Sequence, residues 1–169
     1  VRRVSNYLQF WKIYLDTCCL SRLVDELSQD RILREAEAVQ TILESFKTGR
    51  WYWIASEVLK DEVSQNPDEA RRFSVQYYLK YVHQNVLIEA PQMLRGQQLE
   101  ALGFKHDDAL HIACAESGNA DVLLTTDDKF LRRARHQADK LYVRVENPYT
   151  WLEESPGNEH LQDDRTGDL

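Results

Sequence analysis

Residues 103–131 read GFKHDDALHIACAESGNADVLLTTDDKFL. Between Gly103 and Gly118 the apolar residues Ala109, Ile112 and Ala113 recur at helical spacing, which predicts a helix over residues 107–117 with Gly118 as its stop. The next run, DVLLTT at 121–126, is short, apolar and rich in strand formers. Residues 129–136 then predict a second, basic helix. A strand enclosed between two helices belongs in a parallel sheet, because parallel neighbours need a crossover long enough to hold a helix.

The same alternation extends outward in both directions. KIYLD at 12–16 predicts a buried strand that ends in an acid, and WYWIA at 51–55 predicts another. Between them Ile32, Leu33, Ala36, Val39, Ile42, Leu43 and Phe46 mark an amphipathic helix over residues 31–46, followed by Gly49 as its end. Ser56 caps a helix at 57–64. Asn66-Pro67-Asp68-Glu69 starts another, with Asn66 as cap and Pro67 in the first turn, running to about residue 81. Strands at 86–88 and 141–145, a helix at 91–102 and a final turn from Asn147-Pro148 through residue 152 complete the pattern. The expected fold is a three-layer α/β/α domain around a central, mostly parallel five-stranded sheet.

The chain has 169 residues, of which 43% are apolar and 29% charged, the balance of one globular domain able to bury a core without disulfides. No apolar run approaches the roughly 18 residues that cross a bilayer, so no membrane partner is expected. The start, VRRVSNYLQFWKIYLD, lacks the apolar stretch and small-residue site of a secretory leader. Three cysteines, two of them adjacent, suit a reducing, cytoplasmic location. The net charge is −7, yet residues 153–169 hold six acids and one base. The acidity therefore belongs mainly to a tail expected to be disordered. The domain itself is expected over residues 12–152, after an extension at residues 1–11.

Asp16 ends the first strand, Asp127 and Asp128 follow the fourth, and Asp107 and Asp108 open the helix before it. In parallel α/β sheets ligands bind beyond the carboxyl ends of the strands, so these acids should converge. Converging carboxylates repel unless a cation lies between them. An all-oxygen donor set suits Mg²⁺ or Mn²⁺, which activates water and stabilises charge on a phosphoryl group. Each acid also has a plainer role as a turn or cap residue. Neighbours at a helix start point about 100° apart, so one of each pair faces the site. Asp108 and Asp127 are expected there, with Asp107 and Asp128 as caps. Lys129, Arg132, Arg133, Arg135 and Lys140 form either a solvated face or an electrostatic track for an RNA backbone, and Arg22 is a candidate of the same kind. Trp51 and Trp53 read as packing, and Cys18 and Cys19 as small apolar fillers.

IYLDTCCLSR (13–22), ASEVLKDEV (55–63) and the opening stretch together resemble the PIN domain family in order, spacing and chemistry. The resemblance covers roughly residues 12–152, and its most specific part is DALHIACA followed by ADVLLTTD. It implies a Mg²⁺- or Mn²⁺-dependent ribonuclease, and the toxin of a toxin–antitoxin pair of the VapC type. Its implied partners are an RNA substrate, a small antitoxin protein and a second copy of the chain. Carried over by position, the implied catalytic and metal-holding acids are Asp16, Glu62, Asp108 and Asp127, with Glu57 and Asp61 as rivals of Glu62. Thr126 matches a hydroxyl position that supports the acids in the family, Ser56, Thr17 and His111 are further expected supporting residues, and Arg22, Lys129, Arg132 and Arg133 are the candidates for holding RNA. The departure is Cys18, where many members carry an Asn that orients the acids. A catalytically silent PIN-like RNA-binding or regulatory protein is the rival reading. A phosphoacceptor receiver domain is disfavoured, because Asp16 is followed by Thr17 and strand three leads into Glu89-Ala90-Pro91.

Overall fold

The computed structural model describes residues 10–155. Five strands, β1 (Lys12–Leu15), β2 (Tyr52–Ser56), β3 (Gln84–Val86), β4 (Val122–Leu124) and β5 (Arg144–Glu146), form one sheet in the order β3-β2-β1-β4-β5. Every pairing is parallel, with Tyr14 of β1 opposite Ile54 of β2 and Leu123 of β4. Among the described residues seven α-helices connect them and an eighth follows β5: α1 (Thr17–Ser21), α2 (Asp30–Lys47), α3 (Glu57–Ser64), α4 (Glu69–Tyr78), α5 (Ala90–Ala101), α6 (His106–Ser117), α7 (Asp128–His136) and α8 (Pro148–Glu154). The chain winds outward from β1 through β2 to β3, then returns to β1's other side for β4 and β5. The direction of winding therefore reverses between β1 and β4. Such a switch point opens a crevice at the carboxyl ends of its two strands.

Strand side chains alternate between two cores, as the period of two demands. Ile13, Leu15, Trp53, Ala55, Val122 and Leu124 pack with Val39, Ile42, Leu43 and Phe46 of α2 and with Trp151 of α8. Tyr14, Ile54, Leu123 and Val145 face the opposite layer, with Leu99 of α5, Ile112 of α6 and Phe130 of α7. Trp53 lies flat on Phe46, ring centres 5.1 Å apart, and Trp51, just before β2, meets Trp151 edge-on at 5.3 Å, so both tryptophans are packing residues. Among the described residues no helix is long and apolar enough to cross a membrane.

The structure moves several boundaries. Asn66 is not the cap of α4; its side chain accepts from the Asp68 amide at 3.0 Å, forming a turn, and Asp68 caps the helix through the Arg71 amide. β3 ends at Val86 rather than beginning there, because the Ile88 amide donates to Glu57 Oε2 at 2.7 Å instead of to a strand. β5 begins at Arg144, since the Tyr142 amide is taken by Glu116 Oε1 at 3.0 Å. Helix α6 starts at His106, with Lys105 in the cap position and Asp107 inside the first turn. Trp11 joins the core edge against Trp151 at 5.6 Å, and Glu153 and Glu154 belong to α8. The rest of the expected extension and tail, residues 1–9 and 156–169, lies outside the described residues.

Gly118 ends α6 directly over β2 and β3. A Cβ there would stand 2.8 Å from Ile54 Cγ2 and 3.3 Å from Val86 Cγ2, methyl groups fixed to the sheet. Gly118→Ala is therefore expected to destabilise the domain by about 1–3 kcal/mol, the usual cost of overpacking, read as a lower urea midpoint at unchanged slope.

Candidate active site

Asp16 is the first residue beyond β1. Its amide continues the ladder to Leu124 O at 2.9 Å, which fixes the residue at the switch point. The residue is 6% exposed. Oδ1 accepts from the Thr17 amide at 2.8 Å and caps α1, a helix that the periodicity of the sequence does not announce. Oδ2 accepts from Thr125 Oγ1 at 2.8 Å and from the Cys18 thiol at 3.1 Å. Cys18 thus makes a contact to the acid from the position where the resemblance expected an Asn, and its sulfur also accepts from the Thr126 amide at 3.3 Å. The hydroxyl that supports Asp16 is that of Thr125, not Thr126. Thr125 Oγ1 also accepts from the Asp127 amide at 3.2 Å, tying the β1 and β4 ends together.

Asp127 caps α7: Oδ1 accepts from the amides of Lys129 at 2.9 Å and Phe130 at 3.2 Å. This corrects the expectation that Asp128 is the cap. Asp128 instead turns away to Arg31, whose guanidinium grips both its oxygens at 2.7 and 2.8 Å and also donates to Thr126 O at 3.0 Å.

Leu59 and Val63 of α3 point into the core, which leaves Glu62 on the helix edge facing Asp16. Of its rivals, Glu57 is bound to the Ile88 amide and Asp61 lines an adjoining cleft. Glu62 Oε1 lies 2.8 Å from His111 Nε2. Burial pushes the Glu62 carboxyl up, but the hydrogen bond and charge of His111 outweigh it and hold the group below its ordinary range. His111 is 1% exposed, and its Nε2 also lies 3.3 Å from Asp16 Oδ1. Burial opposes charging the imidazole; Asp16, Glu62 and Asp108 overcome that and raise its pKa to about 9. The helical spacing of Asp108 and His111 suggested a shared face, but nothing in the pattern showed that the ring reaches under both acids. Ser56 caps α3 through the Leu59 amide at 3.2 Å and lies within the core beside Tyr14.

Asp108 stands in the first turn of α6, beside fully buried Ala109. Burial and the charges of Asp16 and Asp127 push its carboxyl up to about 7, with His111 and Lys105 pulling the other way. Asp16, Thr17, Cys18, Glu62, Asp108 and Asp127 share one open cleft of about 620 Å³ with Lys105, His106 and Asp107. So four separate stretches of chain bring carboxylates to one place, with less positive charge than they need. Their oxygens suit a hard divalent cation, while both nitrogens of His111 are occupied by hydrogen-bonding neighbours.

A second cleft, of about 760 Å³, shares Lys105 and Asp108 with the first and is walled by Lys129, Arg132, Arg133, Arg135 and His136. Arg133 lies across the backbone of Gly103, where a Cβ would touch its Cζ at 3.0 Å. Lys129, Arg132 and Arg133 form no ion pair among the described residues. Arg22 is elsewhere, bonded to Asp25 at 2.8 Å and to Glu35 at 3.3 Å, so its charge is already used.

Two solved structures share the fold. A chain of VapBC2 from Rickettsia felis, crystallised with a DNA fragment from its promoter, is 18% identical; the match covers 80% of this chain and 98% of that one with a TM-score of 0.55. A chain of VapBC-1 from nontypeable Haemophilus influenzae is also 18% identical, over 82% of this chain and 98% of that one, with a TM-score of 0.51. No curated protein matches the sequence. The family model of the PIN domain matches residues 13–136, from β1 through α7, and so spans all four segments that meet in the acidic cleft. The chain belongs to the PIN domain family.

Proposed function

We propose that this protein is a Mg²⁺- or Mn²⁺-dependent endoribonuclease and the toxin of a type II toxin–antitoxin pair. The observation that carries the reading is the gathering of Asp16, Glu62, Asp108 and Asp127 at the switch point, with Asp108 held up near 7. In this reading Asp16, Asp108 and Asp127 hold the metal, Glu62 completes the set, and Thr125, in place of Thr126, supports them together with Thr17, Ser56 and His111. The bound ion supplies Lewis acidity at the phosphoryl group and makes water a better nucleophile at neutral pH. The chain's own part is to aim carboxylate oxygens into the cleft and to hold the RNA. Asp127 is suited to this because one oxygen is committed to the α7 amides and the other is left for the cleft. Lys129, Arg132 and Arg133, joined by Lys105, seat the phosphate backbone in the adjoining cleft. Arg22 drops out of that role through its ion pairs. The likeness to chains of VapBC2 and VapBC-1 supports a small antitoxin as partner, and a homodimer and a cytoplasmic setting complete the proposal.

Single-turnover cleavage of RNA with Mn²⁺, and with chelator, tests the reading. Asp108→Asn and Asp127→Asn should each lose at least about tenfold in rate, about 1.4 kcal/mol of transition-state stabilisation. Asp127→Asn isolates the metal role, because Asn still caps a helix. Asp107→Asn and Asp128→Asn should stay within a few-fold of the parent. Chelator-resistant cleavage, or no cleavage with either ion, overturns the assignment.

The pH dependence has a definite sign. Asp108 has a folded pKa of about 7, above its unfolded value, so the stability it contributes is complete at low pH and is lost as pH rises through 7. Metal-free Asp108→Asn should therefore melt higher than the metal-free parent at pH 8 and at the same temperature near pH 4. Mn²⁺ should raise the parent's melting temperature more at pH 8 than at pH 6, where a proton competes for the carboxylate. Thermal scans of both proteins check this, and Asp16→Asn should blunt the metal-induced rise at either pH.

A further inference from the structure

Beneath the acidic cleft runs a line of buried polar groups that the sequence pattern does not reveal. Tyr14, in the middle of β1, is fully buried. Its hydroxyl lies 2.6 Å from Ser56 Oγ and 2.6 Å from His111 Nδ1. Ser56 Oγ accepts from the Leu59 amide at 3.2 Å, and His111 Nε2 reaches Glu62 Oε1 at 2.8 Å and Asp16 Oδ1 at 3.3 Å. The line thus joins β2, β1, α6 and α3, and it ends on two carboxylates.

Proton accounting fixes what His111 does. Nε2 faces two carboxylate oxygens, so it carries a hydrogen and donates. Nδ1 faces a hydroxyl, which can donate or accept. If Nδ1 carries a hydrogen, it donates to Tyr14, which donates to Ser56. If Nδ1 is bare, Ser56 donates to Tyr14 and Tyr14 to Nδ1. Both arrangements satisfy the groups along the line, and in both Nε2–H points at Glu62. Phenylalanine at position 14 would fill the same core space, but it would leave Nδ1 buried without a partner and free the ring to turn or change tautomer. Burial pushes the phenol pKa well above its ordinary value, so the hydroxyl keeps its proton.

We propose that Tyr14 is a positioning residue for the acidic cleft: its buried hydroxyl orients His111 so that Nε2–H holds Glu62 beside Asp16. Only the identity of what the cleft binds rests on the nuclease reading; the relay itself does not.

The test uses Tyr14→Phe in the full chain, with Ser45→Ala as control. Ser45 is also a buried hydroxyl, bonded within α2 to Thr41 O at 3.1 Å and remote from the relay. In the metal-free proteins, ¹⁵N NMR of the imidazoles should show a slowly exchanging His111 Nε2–H in the parent and in Ser45→Ala. In Tyr14→Phe that proton should exchange at least tenfold faster. Calorimetry should give Mn²⁺ binding three- to tenfold weaker for Tyr14→Phe and unchanged for Ser45→Ala. If Tyr14→Phe does not fold, Ser56→Ala removes the relay's other hydroxyl and should shift both readings in the same direction by less. An unchanged His111 Nε2–H signal in the variant overturns the proposal. A parent that binds no Mn²⁺ sinks the metal reading, and the NMR comparison still decides the relay.

Discussion

Carboxylates crowded at the end of a parallel sheet repel one another, and the structure around β1 and β4 holds that repulsion in place. Asp108 shows the strain most directly, since burial, joined by the charges of Asp16 and Asp127, pushes its carboxyl up to about 7. Three devices contain the charge. Asp16 and Asp127 each cap a helix, so backbone amides share their charge and pin one oxygen, and the second oxygen of Asp16 is held by Thr125 and Cys18. Thr125 donates to Asp16 and accepts from the Asp127 amide, locking the two strand ends at a fixed separation. His111 places a donor between Asp16 and Glu62 from below. A hydrophobic residue at any of these points would leave a buried carboxylate unsupported.

The other sheet face braces the same turn. Glu35, 2% exposed, accepts from Arg22, Arg31 and Asn147 at 3.3, 3.2 and 2.7 Å. Arg31 carries this anchor to the Thr126 carbonyl and to Asp128. The Arg31–Asp128 pair is half exposed, so by itself it contributes at most about 1 kcal/mol. Its effect is geometric: Asp128 is pulled outward, and the turn can present Asp127 to the cleft. Arg22 extends the chain of charges to Asp25, which Arg71 of α4 also holds at 2.6 Å. The loop after α1 is thereby fastened to both α2 and α4.

The alternation of elements and the chain positions of the acids were legible because they follow from periodicity and from the rule that parallel sheets bind at their carboxyl ends. What stayed illegible was finer. Sequence order placed a cap beside Asp127 but could not say that Asp127 itself would cap, because either neighbour has the right side chain. Thr125 and Thr126 differ by one residue and point oppositely; only the sheet register puts Thr125 against Asp16. The β3 boundary slipped because Ile88 is a good strand former whose amide goes to Glu57. Tyr14 reads as an ordinary core aromatic, and its hydroxyl acquires meaning only once Ser56 and His111, 42 and 97 residues away, fold against it.

The net charge of −7 suggests a poor match for a polyanion, yet charge is felt locally. At physiological ionic strength the screening length is about 8 Å, so a strand of nucleic acid senses the residues lining its own path more than the total. Along that path the two clefts adjoin, and they share Lys105 and Asp108. Lys129, Arg132 and Arg133 extend the positive side with no ion pair of their own among the described residues, while Asp128, their nearest acidic neighbour in sequence, is gripped by Arg31 and still feels Arg132 and Arg135. The ion pair that turns Asp128 outward therefore also leaves Lys129, Arg132 and Arg133 of α7 without a direct acidic partner among the described residues. One guanidinium thus links the geometry of the acidic cleft to the electrostatics of its basic neighbour.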